Sequence, residues 1–107
     1  MIQCRFLSDS TTGQCVGFAF SGHAGSREAG RNVVCAAVSS AAYLTANALT
    51  DVLHSKAEIT EQDGVLHLRV PPADEPKCRP FLQALKLHIE NLEEQYPKYI
   101  NMSDKEV

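Results

Sequence analysis

Apolar and polar positions alternate at the start of the chain. Ile2, Cys4 and Phe6 alternate with Gln3 and Arg5, and Val16, Phe18 and Phe20 repeat the pattern. A period of two predicts strands over 2–7 and 15–20. Asp9 to Gly13 (DSTTG) between them is turn chemistry, so the two strands form a hairpin. Lys56 to Thr60 and Val65 to Val70 alternate again around Gln62-Asp63-Gly64 and predict a second hairpin.

Two stretches carry a longer period. From Val33 to about His54 the chain is rich in alanine, and Val34, Val38, Ala41, Thr45, Ala48 and Val52 make one helical stripe. Asn32 is placed to cap that helix. From about Arg79 to Gln95, Phe81, Leu82, Leu85, Ile89, Leu92 and Tyr96 make a second stripe. Pro80 fits only a first turn, which sets the start there, and Pro97 ends the helix. Residues 21–32 carry Gly22, Gly25 and Gly30 and read as a loop. Pro71, Pro72 and Pro76 break the chain after the second hairpin. Tyr99 to Met102 reads as a last short strand before a charged tail. The order β-β-α-β-β-α-β predicts a single α+β domain over 1–107. Its sheet is largely antiparallel, with both helices packed on one face.

Composition narrows the function. A chain of 107 residues, 44% hydrophobic and 21% charged, suits one globular domain and excludes a disordered one. The net charge is −3 and the pI about 5.7, which argues against an electrostatically driven nucleic-acid binder. Val33 to Leu49 is mostly apolar but contains Ser39, Ser40, Thr45 and Asn47, too polar for a lipid-facing span. The opening MIQCRFLSDS lacks the basic and apolar regions of an export signal, so the expected address is cytoplasmic. Cys4, Cys15, Cys35 and Cys78 have no C-x-x-C pair and no finger-like histidine, so no metal or other cofactor is expected. In a reducing compartment they are free thiols.

The chemistry concentrates in Ser21 to Ser40. His23 lies on the glycine-rich loop, and Cys35 falls in the first turn of the helix if Asn32 caps it. At that third helical position a thiol faces free backbone N–H groups and the positive end of the helix dipole, which favour the thiolate. The loop brings His23 within range as a general base or ion-pair partner. The same N–H groups suit an oxyanion. The bland alternative is a core cysteine in an alanine-rich helix and a solvated loop histidine. His54 reads as a helix-dipole partner or as solvated, and His67 and His88 as outward-facing. Glu58, Glu61, Asp63 and Glu90, Glu93, Glu94 read as solvated faces, with a second reading as an acidic surface that attracts a basic protein tail.

Gly22-His23-Ala24-Gly25, then Gly30-Arg31-Asn32-Val33-Val34-Cys35-Ala36-Ala37-Val38-Ser39, resembles the signature of the ribosomal-processing cysteine proteases. The likeness covers nearly the whole chain. It implies a homodimeric bacterial endopeptidase that removes the N-terminal extension of the precursor of large-subunit ribosomal protein 27. Position by position it implies Cys35 as nucleophile and His23 as base, with Gly22 leaving room for substrate backbone and Ser39 supporting the site. It implies neither a membrane nor a nucleic acid as partner. Asn32 departs from the family pattern, which is acidic there. An asparagine oxygen still accepts an imidazole N–H. Ser26-Arg27 also departs from the usual loop. Two other readings of the residues are a non-catalytic ribosome-assembly binder of the same fold and a thiol redox sensor using Cys35.

Overall fold

A computed structural model describes residues 1–22 and 29–107, with residues 29–32 described as backbone only. Five strands form one sheet: β1 (Ile2–Ser8), β2 (Cys15–Ser21), β3 (Glu58–Gln62), β4 (Val65–Arg69) and β5 (Ile100–Glu106). Two helices, α1 (Ala29–Asn47) and α2 (Glu75–Gln95), complete the expected element order. The strand order is β3-β4-β2-β1-β5, antiparallel except for β1 with β5.

The alternating pattern decides which side of the sheet is covered. Ile2, Cys4 and Phe6 of β1, Val16, Phe18 and Phe20 of β2, and Leu66 and Leu68 of β4 are buried. Register puts Phe6 opposite Phe18, Cys4 opposite Phe20, and Phe18 opposite Leu68, so they share one face. The three rings interlock: Phe6 meets Phe20 edge-on at 5.5 Å, and Phe18 lies 4.7 Å from Phe20. Val34, Val38, Ala42 and Ala46 from α1 and Leu49 from the turn that follows it join this cluster, as do Leu82, Leu85 and Ile89 from α2. Both helices therefore pack on the same face, as the pattern predicts. Arg5 and Gln3 point to the other side and are exposed.

Four boundaries differ from expectation, each for a physical reason. First, α1 begins at Ala29, so Asn32 lies inside the helix and does not cap it. Gly30 and Asn32 are poor helix formers by about 0.5–1 kcal/mol each. The buried Val34 and Val38 outweigh that. Second, α1 widens into a π turn over Ala48–Val52. The wider turn keeps Leu49 inside and leaves Val52 68% exposed, so Val52 leaves the predicted stripe. Third, α2 starts at Glu75, directly after a short 3-10 turn over Pro72–Asp74. Pro76 sits in its first turn, and Pro80 lies inside the helix on its exposed side, where only one backbone bond is lost. Phe81 is correspondingly half-exposed while Cys78 is buried. Fourth, the charged tail is the second half of β5. The Met102 N–H donates to the Glu93 carboxylate at 2.9 Å, Lys86 pairs with Asp104 at 3.0 Å, and Asn101 donates to Gln3 at 2.8 Å. Those contacts to α2 and β1 hold a segment whose own pattern does not announce a strand.

The second hairpin turns on Asp63 and Gly64, both at positive φ (52° and 75°), as a tight two-residue turn requires. The stretch Val33–Val52 has a mean hydropathy of 1.4 and is long and apolar enough to cross a membrane, contrary to the expectation that its polar residues rule this out. Here its buried face is the core stripe described above.

Asp74 ties the segment before β3 to the start of α2. Its carboxylate accepts the Ser55 hydroxyl and the Lys56 N–H, both at 2.9 Å. The Lys56 N–H bond, then the Ser55 bond, hold its carboxyl below the ordinary value of 3.8. Its stabilising effect is therefore complete above that value and disappears as pH falls through the lowered folded value. Acid titration of stability will show wild type and Asp74→Asn converging at low pH and separating above about pH 4. Truncating the ring at the centre of the cluster, Phe20→Ala, will cost about 3–5 kcal/mol in urea unfolding.

Candidate active site

The site begins where β2 ends. Gly22 follows Ser21 at φ +87°, a conformation that favours glycine. A Cβ there would lie 2.6 Å from the Met1 carbonyl oxygen and 3.1 Å from the Ile2 Cα. Gly22 thus lets the chain leave β2 pressed against the start of β1. The space its missing side chain frees is filled by the chain's own backbone, which gives the glycine a reason besides substrate.

His23 lies outside the described residues, as does the side chain of Asn32. Their placement beside Cys35 is therefore not part of the described geometry. Cys35 is the seventh residue of α1, not the third. The N–H groups without a helical acceptor belong to the first four residues, Ala29 to Asn32. The dipole effect fades within the first turn. The helix start therefore does not act on Cys35 in the way the capping argument supposes.

Cys35 is also more enclosed than a surface nucleophile. It is 9% exposed and joins the core cluster with Val34 and Val38. Ser39 stands one turn further along and is half-buried. Tyr43 follows one turn later and is 42% exposed. Its hydroxyl donates to the Glu61 carboxylate of β3, and that bond holds the phenol above its ordinary value. The Cys35-Ser39-Tyr43 spacing is visible in the sequence. Glu61 is not, because it reaches this row only through the β3–β4 pairing.

The four thiols are all free. Burial pushes the Cys4 thiol up to about 12, with the negative charge of Glu93 adding to it. Burial also raises Cys15 and Cys78. The fold keeps these three protonated and unreactive. With Cys4 and Cys78 fully buried, neither is open to serve as a resolving thiol. Among the described residues no group of three or more His, Cys, Asp or Glu side chains is arranged to hold a metal ion. His54 is exposed beside the π turn at φ +56°. His67 is half-buried on β4, and His88 is exposed on α2.

The chain matches the family model described as cysteine protease Prp over residues 1–101. It is 27% identical over 86 residues to the ribosomal processing cysteine protease Prp of Staphylococcus aureus, covering 78% of this chain and 81% of that one. The solved structure of the S. aureus ribosomal processing protease Prp with a substrate peptide has the same fold. Its TM-score is 0.87 at 23% identity, over 98% of this chain and all of that one. SMU.848 from Streptococcus mutans gives a TM-score of 0.80 at 28% identity, over all of this chain and 96% of that one.

Thiol labelling tests the contrast among the cysteines. With iodoacetamide at about pH 7, peptide mapping of the folded protein will show Cys35 modified faster than Cys4, Cys15 or Cys78, whose thiols burial holds protonated. Half-buried Cys15 is the informative control. A rate for Cys15 equal to that of Cys35 would remove the distinction.

Proposed function

Because the chain belongs to the Prp family of cysteine proteases and is therefore a hydrolase, we propose that Cys35 is its nucleophile and His23 its general base. The observation that carries this is the environment of the thiols. Cys4, Cys15 and Cys78 are suppressed by burial, and Cys35 is the cysteine in the segment that matches the family signature. His23 takes the thiol proton, the thiolate attacks the scissile carbonyl, and the imidazolium returns the proton to the leaving amine. Water then hydrolyses the thioester. The displaced helix start sharpens the role of His23: with Cys35 in the second turn, an ion pair with imidazolium is what favours the thiolate. Asn32 orients the imidazole through its amide oxygen, and Ser39 supports the site from the next turn. Gly22 sets the path by which the chain leaves β2 toward His23.

The substrate is the precursor of large-subunit ribosomal protein 27, from which the N-terminal extension is removed in the cytoplasm. The name of the S. aureus relative, a ribosomal processing protease, supports this. The partner of the protease itself is a second copy. Leu44 is 72% exposed beside an apolar groove of about 460 Å³ between α1 and α2, lined by Ala41, Leu44, Phe81 and Ala84. Burying such a surface favours self-association.

Incubation with the precursor, followed by mass measurement, tests the activity. Wild type will release one defined N-terminal peptide. Cys35→Ala and His23→Ala will lower the rate by roughly a thousandfold or more, since nucleophile and base act as a unit. Binding of the precursor with no cleavage by wild type or by Asn32→Asp would replace the protease by a binder. Sedimentation will give a dimer that Leu44→Glu shifts to monomer.

A further inference from the structure

The flank of α1 above β3 carries a feature that the bond-breaking chemistry does not use. Cys35, Ser39 and Tyr43 form one row along the helix at i, i+4 and i+8. The Tyr43 hydroxyl is bonded to Glu61. Register pairs Glu61 with Leu66 and Ile59 with Leu68, and both leucines are buried. Glu61 and Ile59 therefore face the helix side of the sheet. Both nevertheless remain exposed, Ile59 at 40%, on the edge strand of the sheet. The helix row and the inner side of β3 meet in a corner at the Tyr43–Glu61 pair, on the helix that carries Cys35.

The chemistry of that corner selects a cation. Tyr43 holds one carboxylate oxygen of Glu61 and fixes its direction. Among the described residues no cation pairs with Glu61. Glu58, the other acid of β3, is on the opposite face across from Arg69. The exposed Tyr43 ring adds a surface that attracts an ammonium or guanidinium group. From Cys35 to Tyr43 is about 12 Å along the helix at roughly 1.5 Å per residue. An extended peptide covers that span in about three or four residues.

The geometry points to Tyr43 and Glu61 as a specificity element that holds a Lys or Arg side chain of the substrate peptide, three or four residues from the scissile bond. This rests on Cys35 being the nucleophile. The test uses peptides spanning the cleavage site of the precursor, with Lys, Glu or Gln placed at each of the third to fifth positions on either side. Two readouts run in parallel: kcat and KM with wild type, and Kd with Cys35→Ala, which binds without cutting. The expected result is a position where Lys lowers KM and Kd by about three- to tenfold relative to Glu, an effect weakened by salt. Glu61→Gln keeps an acceptor for Tyr43 and will abolish the preference with kcat on the Gln peptide unchanged. Glu61→Lys will reverse it. Tyr43→Phe will reduce it, with circular dichroism confirming the fold of each variant. Cleavage without any charge preference in KM or Kd overturns the element and leaves the protease standing. No cleavage by wild type, with the charge preference present in Kd, overturns the protease reading and keeps the element as a binding determinant.

Discussion

Everything at the site hangs on the one-sided burial of the sheet. Phe6, Phe18 and Phe20 interlock on a single face, and two central strands present them in register. That apolar platform needs a cover, and among the described residues α1, the turn that follows it and α2 provide it. Each buried ring removes roughly 150–250 Å² from water, so displacing a helix would cost several kcal/mol. α1 is therefore fixed in rotation as well as position: Val34, Val38 and Ala42 must point down. Once they do, Cys35 is set at the border of the core, and the Ser39–Tyr43 row is turned toward β3. The placement of Cys35, the proposed nucleophile, is a by-product of core packing.

This origin has a consequence for reactivity. A thiol at the end of a helix is activated by that helix; a thiol seven residues in is held by it. Enclosure alone disfavours a thiolate, as Cys4 illustrates, where burial and the charge of Glu93 push the thiol up to about 12. The fold therefore supplies position, and in the proposed mechanism the charge partner, His23, comes from another part of the chain. Gly22 marks where that other part departs. Its close approach to Met1 presses the exit from β2 against the start of β1, up to the residue before His23.

Most of the architecture was legible because it depends on local period. Both hairpins, both helices and the covered face follow from alternation and the two stripes. What escaped depends on contacts distant in sequence. The tail from Ser103 to Glu106 has no strand pattern; it is ordered by pairing with β1 and by the Lys86–Asp104 contact. The early start of α1 runs through Gly30 and Asn32, whose local preference is for a loop. Pro80 marks a helix start only if the helix cannot tolerate a lost bond on its exposed side, and α2 does. The same division applies to the site. The signature around His23 and Cys35 is a local string and was readable. The position of Cys35 within the helix depended on where α1 begins and was not. Nor was Glu61, which meets Tyr43 from 18 residues away.

The acids of β3 invite a simpler explanation. An exposed edge strand is a template for unwanted pairing, and charged side chains on it discourage that. Such protection depends on charge but is indifferent to its sign, and it acts from either face of the strand. Glu58 fits that role: it lies on the open face, and its cross-strand neighbour Arg69 balances it. Glu61 fits less well. It faces the helices, its direction is fixed by a tyrosine two turns from Cys35, and no described cation offsets it. A residue that only repels another edge gains nothing from being held in one orientation. Holding a carboxylate still lowers the entropy lost when it meets a partner, which is what a recognition element needs.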